Sequence, residues 1–179
     1  DVTRYRAGWV PDFADAGYLL DLSDKVKGWN DWNTAWYPAI KSQIDVKGKI
    51  LAIPSEASTQ NIFYRKDIFS STGVSTAQPK SWDELIARAK EIKPKNNNKP
   101  PLLFPAATAW GGGTFGEGFI HLMLGTRSQL YNAQTGKWVV KSPGILSVFK
   151  FYETLAKEKL IPVDPLLAPE PWVALKYKM

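Results

Sequence analysis

Residues 48–69 read GKILAIPSEASTQNIFYRKDIF, and the rest of the chain is organised around them. Residues 50–53 form a short apolar run that ends at Pro54, which has no backbone N–H for a strand ladder. A second β-prone run, 62–64, follows residues 55–61, which are mostly polar and contain no glycine or proline. This pattern predicts two strands joined by an extended polar crossing between two bodies.

Helix signals follow the crossing. Residues 66–72 precede Gly73, a typical helix-ending residue, and Asp67 is expected to cap this helix. Ser81 and Glu84 form a capping box in which Glu84 is expected to bond back to the Ser81 amide. Leu85, Ile86, Ala89 and Ile92 are predicted to be the buried face of that second helix.

The remaining elements alternate between strands and helices. A helical pattern begins at Val10, a buried strand is predicted at 101–104, and residues 132–137 read as a turn between short strands. A last long helix opens at Ser142, and its inward residues are predicted to be Leu146, Phe149, Tyr152 and Leu155. Strands alternating with helices indicate an α/β sandwich with strand ends facing a cleft.

Composition excludes several classes of function. The chain has no cysteine, and its +6 net charge arises from lysines and arginines scattered over 56–179, with no nucleic-acid motif. Gly111, Gly113 and Gly116 lack the following acid that a dinucleotide site needs. His121 is the single histidine, which argues for a packed helix residue rather than a metal ligand. Aromatic residues make up 13% of the chain, and flat rings of this kind can stack on a sugar.

The order of three motifs identifies a family resemblance. G-K-I-x-A-I-P, then F-Y-R-K-D-I-F, then P-K-S-W-D-E-L resembles the extracellular solute-binding proteins of sugar-importing ABC transporters, the maltose-binding-protein-like family. The resemblance implies a two-lobed α/β fold of the periplasmic-binding-protein type II class, with a ligand cleft between the lobes. Residues 1–54 would be part of lobe 1, 55–60 the hinge crossing and 61–179 most of lobe 2. Because family members are considerably longer, the chain is expected to be a fragment.

The same resemblance implies a function. The protein would be a monomer that binds an oligosaccharide without catalysis or a cofactor and delivers it to the membrane subunits of an ABC transporter. Its location would be extracytoplasmic, either periplasmic or lipid-anchored. The alternative left open is an enzyme acting on glycosides, for which Glu56 and Glu117 are the best pair of carboxylates in expected cleft loops.

Candidate ligand-binding residues come from two arguments. Polar residues on the crossing, where two bodies would meet, suit hydrogen bonding to a sugar. By resemblance, Tyr5 and Trp110 fall on the family's sugar-stacking positions, while Gly8 and Trp9 replace charged ligands and Thr108 replaces a glutamate. The predicted set is Tyr5, Arg6, Trp9, Glu56, Ser58, Thr59, Thr108 and Trp110.

Overall fold

The computed structural model describes residues 2–57, 59, 61–104 and 114–162, without the side chains at 114, 115 and 117. The chain divides into two compact units, Asp1–Asn61 and Ile62–Met179. The division falls just after the crossing at 55–60. That the units are parts of two lobes, with a hinge between them, stays a prediction.

The first unit consists of short helices and one hairpin. Its elements are a 3₁₀ turn Ala7–Trp9, α1 (Val10–Asp15), α2 (Ser23–Lys27), a 3₁₀ turn Asn30–Asn33, α3 (Pro38–Lys41), β1 (Asp45–Val46) and β2 (Lys49–Ile50). The two strands are antiparallel, with Val46 opposite Lys49. Lys47 and Gly48 both have positive φ, 56° and 79°, which is the backbone of a tight hairpin turn. The residues Val46-Lys47-Gly48-Lys49 indicate a hairpin-like turn from the sequence alone, and the structure confirms it.

The core of the first unit collects one apolar side chain from each of several short elements. Its buried members are Val10, Val26, Trp32, Ile44 and Leu51. Trp29 and Trp32 stand three residues apart in the sequence, and their ring centroids lie 5.9 Å apart. Small elements of this kind are held together by shared burial, since each is too short to be stable alone.

The second unit is built on two long helices. Its elements are α4 (Lys66–Thr72), α5 (Trp82–Lys95), a π-helical turn Thr114–Phe119 that continues into α6 (Ile120–Gly125), β3 (Tyr131–Asn132), β4 (Lys137–Trp138) and α7 (Pro143–Lys157). Gly73 ends α4 with a left-handed backbone, φ 68°, as predicted. The core cluster joins α5 to α7 through Ala89, Phe151 and Leu155 and extends to Leu160 and Ile161.

The predicted inward face of α7 is wrong in part. The buried residues are Gly144, Val148, Phe151 and Leu155. Leu146 and Phe149 are instead 55% and 59% exposed. The helix carries apolar side chains on two stripes, so periodicity alone does not tell which stripe faces the core. In the observed orientation of α7, Gly144 packs closely against the loop at 126–128.

The predicted strands at 50–53, 62–64 and 101–104 are mostly absent. Of these three stretches, only the first overlaps a strand, at Lys49–Ile50. In the second, Ile62 and Phe63 are 72% and 85% exposed and lie in irregular backbone. The backbone N–H of Leu102 does donate to Leu160 O at 3.0 Å. A strand exists only with a partner ladder, and the pairs within the described residues are the two local hairpins. No helix within the described ranges is long and apolar enough to cross a membrane.

The start of α5 is the capping structure that the sequence indicates, with one difference. The Glu84 amide donates to Ser81 Oγ at 3.1 Å, while the Glu84 carboxylate accepts from the Lys80 amide at 2.8 Å rather than from Ser81. The Lys80 amide, followed by the Arg88 guanidinium, holds the pKa of Glu84 below its usual value. Asp67, by contrast, does not cap α4; its carboxylate accepts from Arg65 Nε at 2.8 Å.

Replacing the α5 cap should weaken the second unit. Ser81→Ala leaves the Glu84 amide without its side-chain acceptor, and we expect the free energy of unfolding to fall by about 1 kcal/mol. The measurement is urea denaturation of the protein with its native flanking sequence. Ser147→Ala is the matched control, because that exposed hydroxyl bonds only to Pro143 O within α7. If the Ser81→Ala protein is as stable as the control, the hydrogen bond from the Glu84 amide to Ser81 Oγ does not stabilise α5.

Candidate functional site

The first feature of the site is an ion pair that joins the N-terminal segment to the polar crossing. Arg4 Nη2 lies 2.6 Å from Glu56 Oε1, and both side chains are 72% exposed. Exposed pairs contribute little to stability. The contact nevertheless shows that Arg4, at the start of the N-terminal segment, lies against the crossing. The ion pair therefore links the two segments that carry predicted ligand residues, since Arg4 precedes Tyr5 and Arg6 in the chain and Glu56 is itself a predicted ligand residue.

Aromatic rings form the second feature. Tyr5 packs against the core of the first unit and meets Phe13 edge-on, with centroids 5.3 Å apart. Burial raises the pKa of the Tyr5 hydroxyl above its ordinary value. Trp9 lies 6.2 Å from Phe13 and remains 51% exposed. Tyr5 is therefore part of the support, whereas Trp9 offers accessible ring surface.

Exposed polar groups occur both on the crossing and in the N-terminal segment. Asn61 Nδ2 donates to Thr59 Oγ1 at 3.1 Å, which orients both side chains. Arg6 and Thr59 are exposed. Together with Glu56 they supply guanidinium and amide donors, a carboxylate acceptor and a hydroxyl that can do both. This is the mixture of groups that sugar hydroxyls require.

Part of the predicted set cannot be placed. Ser58, Thr108 and Trp110 lie outside the described residues, as do Gly111, Gly113 and the side chain of Glu117. The proposed second stacking platform and the carboxylate pair with Glu56 therefore stay predictions. His121 is exposed rather than packed, which makes that detail of the prediction wrong. No group of three or more metal-ligating side chains occurs in the part of the chain that is described.

Two contributors to the site were missed from the sequence. Phe13 contacts both Tyr5 and Trp9. Its contact with Trp9 could have been predicted from the sequence, because the two residues stand four apart at the start of a helix. Arg4 had no such signal. Its partner Glu56 is far along the chain, so only the folded chain brings the two together.

Comparisons with known proteins identify the family to which the sequence is similar. Residues 5–167 match the family described as bacterial extracellular solute-binding protein. An uncharacterised ABC transporter extracellular-binding protein of Pyrococcus horikoshii is 25% identical over 158 residues, covering 87% of this chain and 34% of the relative. The diacetylchitobiose binding protein of Streptomyces coelicolor is 27% identical over 135 residues, covering 69% of this chain and 26% of its own length.

A solved structure gives the fold. The ABC transporter associated binding protein of B. animalis subsp. lactis Bl-04, in complex with β-1,6-galactobiose, superposes with a TM-score of 0.73 at 24% identity and covers 97% of this chain. This chain covers 41% of that protein. It likewise spans about a third of the curated relative from Pyrococcus horikoshii (34%). The predicted periplasmic-binding-protein-like α/β fold is confirmed, and the chain belongs to the bacterial extracellular solute-binding proteins.

Proposed function

We propose that the protein binds an extracellular oligosaccharide and presents it to an ABC importer. The observation that carries the proposal is the half-exposed ring of Trp9, five residues along the chain from the Arg4 that pairs with Glu56, in a chain of this family. Two similar proteins add support, since one is named for diacetylchitobiose and the other is in complex with β-1,6-galactobiose. Both ligands are disaccharides. The particular sugar bound here is a matter for experiment.

Each residue has a role that follows from its chemistry. The face of Trp9 would cover the C–H side of a sugar ring, where apolar contact is favourable. Arg6 and Thr59 would hydrogen-bond to hydroxyl groups at the ring edge. Glu56 would accept from two hydroxyls or from one hydroxyl and Arg4, which fixes its carboxylate in one orientation.

Binding is proposed to be coupled to a change of shape. With residues 55–60 as a hinge, a sugar that contacts both lobes favours the closed state only by its higher affinity for that state. The closed protein would then be the form that transporter subunits bind. This scheme places the protein outside the cytoplasm, where members of its family act as transport binding proteins rather than as enzymes.

Loss of the Trp9 ring should weaken sugar binding strongly. For Trp9→Ala we expect the Kd of the best oligosaccharide to rise about thirtyfold, as for a central aromatic contact. A thermal-shift screen of oligosaccharides on the protein with its native flanking sequence would first identify the ligand. Calorimetric titration would then give Kd. Tyr37→Ala, which removes an 80% exposed ring from the same unit, is the matched control and should bind normally.

The same titrations separate binding from catalysis. Each mixture is analysed for glycosidic cleavage, with Glu56→Gln as the test variant. Saturable binding without product supports a binding protein. Product formation that Glu56→Gln abolishes would establish the glycoside-acting enzyme instead. Equal affinities for wild type, Trp9→Ala and Glu56→Gln would place the sugar elsewhere.

A further inference from the structure

The second unit contains a long stretch with an unusual charge pattern. Residues 118–152 include no aspartate or glutamate, although the whole chain has 17 acids among 179 residues. The cations in this stretch are Arg127, Lys137, Lys141 and Lys150. A mixed solvated surface would carry both signs interspersed. The stretch therefore presents positive charge that its own sequence does not neutralise.

The hairpin of β3 and β4 lies in the middle of this stretch and exposes aromatic rings. Tyr131 and Trp138 are directly opposite in the antiparallel register, so their side chains share one face of the hairpin. Their rings meet edge to face with centroids 5.4 Å apart. Tyr131 is 47% exposed, Trp138 68% and Val140 77%. A tyrosine, a tryptophan and a valine are thus concentrated on one small exposed element.

Three of the cations flank these rings along the chain. Lys137 precedes Trp138, Lys141 follows Val140, and Arg127 precedes the hairpin. All three are exposed. Across the described ranges, no ion pair includes any of them. We call this group, residues 131–141 with Arg127, the cationic hairpin.

We propose that the cationic hairpin docks on an anionic membrane surface. Tyrosine and tryptophan are favoured at the headgroup level because one end of each ring system is apolar and the other is polar. Lysine and arginine beside them are attracted by anionic headgroups over about one Debye length. Shallow insertion of the rings and contact of the cations with phosphates would occur together.

Two other occupants fit the hairpin less well. The Tyr131 and Trp138 rings are inclined at 65°, so they do not form the single flat platform that a sugar ring would stack on. An acidic protein partner would match the charge, yet it gives no reason for a Tyr–Trp pair with the composition of a membrane interface. The proposal concerns where the protein resides, and it does not depend on sugar binding at Trp9.

The test measures binding to lipid vesicles by sedimentation. Wild type is mixed with vesicles of phosphatidylglycerol and phosphatidylcholine, with vesicles of phosphatidylcholine alone, and with soluble polyglutamate as an acidic-protein probe. The double variant Lys137→Gln/Lys141→Gln should lower partitioning into the anionic vesicles roughly twenty-five-fold, at about fivefold for each cation. Tyr131→Ala with Trp138→Ala should lower it roughly tenfold without a change in charge.

Matched controls make the result specific. Lys80→Gln with Lys99→Gln removes two exposed cations from elsewhere in the same unit and should leave partitioning within about twofold of wild type. Thermal unfolding of each variant checks that the fold is intact. If the alanine variant is unstable, the lysine double variant still tests the proposal, because it keeps both aromatic rings. A blue shift of tryptophan emission on anionic vesicles, absent in Trp138→Phe, would support insertion.

Three outcomes would overturn the proposal. The first is equal partitioning of wild type into phosphatidylcholine and anionic vesicles, and the second is an equal loss in both lysine double variants. The third is binding to polyglutamate as tight as to anionic vesicles, which would assign the hairpin to an acidic protein partner. Oligosaccharide affinity should be unchanged in all these variants, so failure here is distinguishable from failure of the sugar site.

Discussion

Phe151→Ala is expected to lower the free energy of unfolding of the second unit by about 3–5 kcal/mol. Phe151 is 3% exposed, and its ring centroid lies 5.0 Å from Trp82 and 5.6 Å from Phe104. Removing it leaves a cavity where α7 meets α5 and the segment at 102–104. Those neighbours come from three separate parts of the chain, so the site has little freedom to collapse. Urea denaturation of the protein with its native flanking sequence measures the loss.

The control for this prediction lies two residues earlier on the same helix. Phe149 is 59% exposed and contacts Phe119 at 5.5 Å between centroids. Phe149→Ala should therefore cost about 1 kcal/mol or less. Equal losses for the two variants would mean that the stripe with Leu146 and Phe149 is buried, as the sequence pattern predicts, and would contradict the observed rotation of α7.

Gly144→Ala is expected to destabilise by about 1–3 kcal/mol, although alanine normally favours a helix over glycine. A Cβ atom at this position would lie 2.5 Å from Ser128 Cβ and closer still to the hydroxyl oxygens of Ser128 and Thr126. The Thr126 hydroxyl cannot easily move aside. It donates to Met123 O at 2.7 Å and accepts from the Ser128 amide at 3.1 Å. Overpacking should therefore exceed the helical gain.

Two further variants test that explanation. Gly125→Ala places a methyl group at the end of α6 where no atom lies within 4 Å, so it should be neutral or slightly stabilising. Ser128→Gly removes the Cβ and hydroxyl that the new methyl would meet, and it should restore part of the stability lost in Gly144→Ala. If Gly144→Ala is as stable as Gly125→Ala, the helix and loop are not in close contact.

Local features of the fold were predictable because their signals lie within a few residues. Ser81 caps α5, and Gly73 ends α4 with a positive φ. The hairpin at Asp45–Ile50 needs only the positive φ of Lys47 and Gly48. In each case the residues that determine the feature lie within a few positions of one another in the chain. Ser142 caps α7 in the same way, by accepting from the Ile145 amide at 3.2 Å.

Some contacts of the predicted ligand residues are equally local, while the role of these residues in binding a sugar stays a prediction. Trp9 and Phe13 are neighbours because they stand four residues apart at the start of a helix. The contact of Tyr5 with Phe13, eight residues away, depends on the fold of the extended segment before that helix. The pairing of Arg4 with Glu56 was not predictable, since nothing in either local sequence specifies the other. The strand at 62–64 failed because β propensity describes a side chain's fit to a sheet and supplies no partner.

By itself, the sequence of motifs from Gly48 to Leu85 determined the family and the general class of fold, and the caps determined where the long helices begin. Tertiary structure alone decided which apolar stripe of α7 is buried, which ring near the N-terminus stays exposed, and that Arg4 meets Glu56. The physical reason is how far apart in the chain the interacting groups stand. Caps and turns are closed by bonds between near neighbours in the chain, whereas burial and ion pairs depend on segments that only folding brings into contact.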